Sequence, residues 1–180
     1  MTELQLDPSA SKLVVRIRAA GLLARLAHDL EIAATDLSGR ARENGETWSA
    51  ELRVPVAGLR VAGTLRGDTL VPEGLSPSDR AEVERRIRQD VLRGTSVIQV
   101  QASGETRDRA HAEASLAAAS ARTTAPMSTR DLSGGAVSAA GACRLSLAAL
   151  GIHEIKGPLG AFKVRDDIEV RFELTLRPAG

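Results

Sequence analysis

Three histidines, a single cysteine and a scatter of acids carry most of the chemistry open to this 180-residue chain. His28 stands in the stretch AHDLEIAATD. Counting by twos puts His28, Leu30 and Ile32 on one face and Asp29 and Glu31 on the other. An inward histidine beside two aliphatics either holds strands together or meets a ligand's polar head. The structural role is favoured, because buried polar groups are normally satisfied inside the protein. As a general acid or base it has no visible partner, so an enzyme using His28 is the weakest reading. His111 and His153 do not stand at metal-ligand spacing from it, and no metal is expected. Cys143 shares parity with Leu145 and Leu147 and reads as a buried, unreactive thiol. Being the only cysteine, it allows neither an intramolecular disulfide nor a cysteine-based metal site. The chain carries no nucleophile elbow, phosphate-binding glycine loop or telling pair of carboxylates, so no catalytic residue and no cofactor are expected.

The elements that must position these residues are mostly strands. In KLVVRIR, Leu13, Val15 and Ile17 share a face; in TWSAELRVPV the inner set is Trp48, Ala50, Leu52, Val54 and Val56, with Pro55 outside in the manner of an edge or bulge. LRVAGTLR repeats the pattern with Leu59, Val61, Gly63 and Leu65, and DIEVRFELTLRP with Ile168, Val170, Phe172, Leu174 and Leu176. One-sided alternation of this kind marks antiparallel strands with one dry face. A single helix over about residues 77–93 is announced by Ser76 as cap, Pro77 at the first position, Asp79 in the capping box and Val83, Ile87 and Val91 in one stripe, with Gly94 as the stop. Its Arg85, Arg86, Arg88 and Arg93 alternate with Glu82, Glu84 and Asp90 and read as a solvated face. Beyond SVIQVQAS the alanine-rich stretch keeps its alternation through Ala112, Ala114 and Leu116, then Thr123, Ala125 and Met127, although propensity alone also permits a helix over 110–121. LSGG at 132–135 reads as a hairpin turn.

Many antiparallel strands with one helix favour a single mainly β domain: an antiparallel barrel of about eight strands, since closure removes exposed edges. A formal net charge of +1 supplies no field to attract nucleic acid, and none is expected as a partner. The N-terminal MTELQLDPSASK lacks the basic start and apolar core of a secretory signal, and no run approaches membrane-spanning length, so a soluble, cytoplasmic protein is expected.

In their order, GLLARLAHDLEI, LSPSDRAEVERRIRQDVLR before SVIQVQAS, and LAALGIHEIKGPLGAFKVRDDIEVRFEL resemble the YceI-like family, over about residues 10–177. The last stretch carries most of the resemblance, with Gly151-Ile152, the loop from Gly157 to Gly160 and the strand entry from Val164 to Ile168. The resemblance implies a lipocalin-like barrel associated with polyisoprenoid or other lipid binding. Departures are a missing proline and phenylalanine around TSVIQVQAS, few aromatics for a prenyl pocket and no export signal.

A site for a lipid or isoprenoid-like molecule would be written in the inner parity of the strands. Its expected walls are Val15 and Ile17, then His28, Leu30 and Ile32, then Leu52, Val54 and Val61. The second half contributes Ile98, Val100, Ala114, Leu116, Leu145, Phe172 and Leu174. The alanines at 112, 114 and 125 argue for spare volume, whereas a narrowed barrel would fill it. The expected function is therefore non-enzymatic binding of an elongated apolar molecule or lipid in the barrel interior. The alternative is a ligand-free structural or protein-interaction barrel with a filled core. A homodimer is left open.

Overall fold

The computed structural model describes residues 1–21, 27–157 and 162–179. Alternating sequence becomes strand as β1 (Thr2–Leu6), β2 (Lys12–Ile17), β3 (Ala19–Ala20), β4 (Asp29–Ala34), β5 (Ser38–Asn44), β6 (Thr47–Pro55), β7 (Leu59–Arg66) and β8 (Thr69–Val71). The helix α1 (Pro77–Arg86) comes next, extended by a wider π-type turn at Ile87–Val91. Then come β9 (Val97–Gly104), β10 (Arg109–Leu116), β11 (Ala119–Asp131), β12 (Val137–Ser146), β13 (Lys163–Val164) and β14 (Asp167–Pro178). The alanine-rich stretch forms three strands joined by turns, with no α-helix in it. Continuous pairing from Arg109↔Pro126 to Leu116↔Ala119 overrides its helix propensity. LSGG forms the turn between β11 and β12, with Gly134 at φ 71°. Among the described residues no helix is long and apolar enough to cross a membrane.

Eight strands close an antiparallel ring in the order β1-β5-β6-β9-β10-β11-β12-β14, and β14 returns to β1. Because β14 is long, it serves two partners: Glu169–Glu173 pair with β2, and Leu176–Pro178 pair with β1. The break between β1 and β2 falls at Asp7, which accepts the Ser9 N–H at 3.0 Å and receives Arg177 Nε at 2.7 Å. Hydrogen bonding from the Ser9 hydroxyl, then from Arg177, holds the Asp7 carboxyl at about 2, below its ordinary 3.8. A carboxyl depressed by folding adds stability above its unfolded value and loses it as the pH falls through the folded one. For Asp7 that window runs from 3.8 down to about 2. Replacing Arg177 by glutamine is expected to move the Asp7 midpoint upward, towards 3.8, in a carboxyl-detected NMR titration.

At the other end of the barrel the sheet continues from β14 through β2, β4 and β7 to β8, outside the ring. An uncovered edge on β7 would leave backbone groups unpaired. The helix supplies the partners. Ser76 caps it by accepting the Asp79 N–H, and Pro77 occupies its first turn. Arg80, Glu84 and Arg88, four residues apart and so on one helical face, turn towards β7. Glu84 accepts the Val61 N–H at 2.9 Å, Arg80 donates to the Val61 carbonyl, and Arg88 donates to the Leu59 carbonyl at 3.1 Å. This corrects part of the solvated-face reading. Glu82, Arg85 and Arg86 are exposed, with both arginines paired to Glu82, whereas Glu84 and Arg88 are half-buried at the sheet edge.

A second correction concerns β7. Its register against β4 shifts between Glu31↔Gly63 and Ile32↔Val61, so Ala62 is bulged out. An extra residue reverses the parity of the positions beyond it. Gly63 and Leu65 therefore share a face with Glu31 and Asp29, instead of continuing the face of Leu59 and Val61.

Apolar residues collect in two clusters. The larger includes Leu13, Ile32, Leu59, Leu116 and Ile168, with Ile87, Val91 and Leu92 of the helix segment packed into it. The smaller gathers Leu4, Ala41 and Val137, with Ala50 and Leu176. The helix thus fills the lower end of the barrel. The upper end, where β5–β6, β9–β10 and β11–β12 turn, is filled only in part.

Candidate functional site: an interior cavity with a charged rim

Between the clusters lies a cavity of about 190 Å³. Its walls come from every strand of the ring, mainly from the inner parity, and Leu13 of β2, Arg40 and Glu51 also border it. Ala50 and Leu52 belong to β6, Val100 and Ala102 to β9, Ala110, Ala112 and Ala114 to β10, and Val170, Phe172 and Leu174 to β14. The alanines create the space, because their methyl groups stop short of the barrel axis where larger side chains would meet. Phe172 reaches in because its cross-strand partner is Gly141. A Cβ at Gly141 would stand 2.8 Å from the Phe172 ring, so only glycine leaves the ring its place.

Polar groups on this wall are few. The Cys143 thiol faces the cavity, where burial pushes its pKa up, opposed in part by a hydrogen bond with Thr123. The residue is half-buried, where a buried thiol was expected. Thr123 and Thr129 are also on this wall, and a charged group sits at the rim. Glu43 is on the inner parity of β5, one position from the hairpin turn and opposite Trp48. Arg107, from the β9–β10 turn, reaches the carboxylates of two distant strands. Its Nη2 is 3.1 Å from Glu43, and its Nη1 is 2.8 Å from Asp131 at the end of β11. The hydrogen bond to Asp131, then the charge of Glu43, raise the guanidinium's pKa above its ordinary value. The turn itself is pinned by Trp48, whose indole Nε1 donates to the Thr106 carbonyl at 2.8 Å. Gly104, paired with Trp48, makes room for that indole: a Cβ there would be 2.6 Å from Nε1.

Six of the expected wall residues line the cavity: Leu52, Val100, Ala114, Leu145, Phe172 and Leu174. Another six, Val15, Ile17, Ile32, Val54, Ile98 and Leu116, lie in the packed lower cluster. Leu30 and Val61 are buried but line nothing open. His28 is exposed, so the expected inward orientation gives way to a position in solvent ahead of β4. His111 and His153 are exposed too, on the outer face of β10 and in the loop after β12. The group from AHDLEIAATD that the protein does bury is Glu31, on the other parity, paired with Arg16 at 2.8 Å. Sequence reasoning missed Glu43 and Arg107. An acid two residues beyond Ala41, directly before the Asn44-Gly45 turn, was the available signal for the first. Arg107 lies in a turn, where parity says nothing.

A larger concavity of about 630 Å³ opens on the outer face of β5, β6, β9, β10 and β11. Its charges are paired, Arg40 with Glu51 at 2.9 Å, Arg122 with Glu113 at 2.8 Å and Arg42 with Glu3, outside the concavity, at 2.8 Å. It presents a ladder of exposed ion pairs.

An eight-stranded antiparallel ring with one helix is the lipocalin-like barrel that the YceI-like resemblance implies. Two solved structures share this fold. The polyisoprenoid binding domain from Saccharophagus degradans, implicated in plant cell wall breakdown, superposes with a TM-score of 0.68 at 13% identity, over 99% of this chain and 100% of that one. Burkholderia cenocepacia BcnA superposes with a TM-score of 0.64 at 12% identity, over 94% of this chain and 98% of that one. No family model matches the chain, and no curated protein matches it in sequence. Of the stretches that carry the resemblance, residues 22–26 and 158–161 lie outside the described residues.

Proposed function

We propose that the protein is a non-catalytic binding protein that takes an apolar molecule into the barrel interior. One observation carries this reading: a nearly all-apolar cavity of about 190 Å³ whose walls are the inner faces of the ring strands. The description of the Saccharophagus neighbour as a polyisoprenoid binding domain supports the ligand's apolar character. An apolar cavity of about 150 Å³ stays dry and admits benzene, so this one has room for about eight carbons. That is the size of a compact hydrocarbon, or of the terminal segment of a longer isoprenoid or lipid chain. At about 0.8 kcal/mol per buried CH₂, filling it yields about 6.4 kcal/mol, a Kd of roughly 20 µM before ordering costs.

Trp48, the only tryptophan, lines the cavity and reports occupancy by its fluorescence. Titration with an eight-carbon alcohol is expected to saturate only above about 100 µM, since ordering costs weaken the affinity below that figure. Ala114→Leu places three more carbons in the space and is expected to weaken binding by about 2.4 kcal/mol, about 50-fold. Unchanged affinity in that variant would remove the interior from consideration. Failure of every apolar probe to bind the parent protein would favour the ligand-free scaffold.

A further inference from the structure

We infer that the rim group of Glu43, Arg107 and Asp131 makes this a site for short, neutral amphiphiles. The ligand would have an apolar body of the cavity's size and a terminal hydroxyl or carbonyl oxygen, and the rim would reject the matching carboxylate. The inference rests on the proposed interior site and adds the chemistry of the ligand's polar end. Its first observation is placement. Glu43, Arg107 and Trp48 line the same cavity as the apolar wall, so a molecule filling that wall has its outer end among them. The second is the hydrogen-bond inventory. A guanidinium carries five N–H donors, and Arg107 directs Nη1 to Asp131 and Nη2 to Glu43. Donors therefore remain for one more acceptor. The third is charge. Two carboxylates already face one guanidinium, so the rim holds a surplus of negative charge. Glu43 is only 18% exposed, and there the solvent does little to screen it. A hydroxyl or carbonyl oxygen takes the spare donors without adding charge. A carboxylate head would bring a third anion into a partly desolvated place.

The rim is also built to stay in this arrangement. Trp48 ties down the turn that carries Arg107, and Arg107 joins β5 to β11 across the barrel end. A head group therefore meets a fixed donor, with little reorganisation on binding.

The test compares 1-octanol, octanoate and octane at neutral pH by Trp48 fluorescence, in the parent protein and in Asp131→Asn and Glu43→Gln. Octanol is expected to bind the parent about tenfold more tightly than octanoate, and several-fold more tightly than octane. Asp131 is 77% exposed, so its replacement leaves the fold intact. In Asp131→Asn the octanol-to-octanoate preference is expected to shrink by about threefold, and in Glu43→Gln, checked for folding by circular dichroism, to disappear or reverse. Octanoate binding the parent as well as octanol does, or a preference unmoved in Asp131→Asn, overturns the inference and leaves the interior site standing. Absence of binding by all three probes overturns both.

Discussion

Replacing Glu31 by alanine is expected to cost about 3–5 kcal/mol of stability, because it strands a buried guanidinium without its counter-ion. Arg16 and Glu31 face each other across β2 and β4, with Nε 2.8 Å from the carboxylate and side chains 9% and 3% exposed. Among the described residues Arg16 Nη1 has no hydrogen-bond partner, and its other anionic neighbour, Asp68, is 3.7 Å away and mostly in solvent. Once Glu31 is gone, little remains to offset the desolvation of the cation. A total stability of about 5–15 kcal/mol is usual for a domain, so this variant should unfold at a much lower urea midpoint. The double variant Arg16→Met with Glu31→Leu is expected to recover most of the loss, since an apolar pair of similar volume carries no desolvation cost. A loss below about 1 kcal/mol in Glu31→Ala would mean that the pair behaves as a surface ion pair.

Ile32→Ala should separate the two halves of the barrel. Ile32 is 7% exposed in the lower cluster and does not line the cavity. Its truncation is expected to cost about 2–5 kcal/mol through lost burial and the void left behind. Octanol affinity should stay within about threefold of the parent when measured well below the melting temperature, because no wall residue has changed. The gentler Ile32→Val, at about 0.5–1.5 kcal/mol, gives the same comparison if the alanine variant is too weak to handle. Ala114→Leu is the mirror case, expected to lose ligand while staying folded. A large affinity loss in Ile32→Val would show that the packed cluster and the cavity behave as one unit.

The barrel itself was legible because alternation is a local property. A residue's parity is fixed by its neighbours two positions away, so inside and outside could be separated strand by strand, and the capped helix announced itself through Ser76 and Pro77. Height along the barrel axis was not legible. Val100 and Ile98 share a strand, a parity and a packed cluster, yet only Val100 also borders open space. The difference arises where the helix inserts Ile87, Val91 and Leu92, and nothing in SVIQVQAS encodes that. His28 misled for a related reason. It lies just ahead of the first residue of β4, where alternation no longer dictates which way a side chain points. The bulge at Ala62 reversed the parity of Gly63 and Leu65 within a run that looked regular. The rim pairing of Glu43 with Arg107 joins residues 64 positions apart and depends on how the β9–β10 turn folds over the barrel end.

The double duty of β14 has a consequence for how the molecule forms. This strand comes last in the chain, yet it joins β1 and β2 near the start: Val170 meets Val15, and Arg177 meets Gln5. Contacts so distant along the chain slow the search for the native state. While a ribosome is still making the chain, the earlier strands wait for β14 with their oily sides open to water. That interval, more than any weakness of the finished barrel, is when sticking to neighbours or help from a chaperone should matter most.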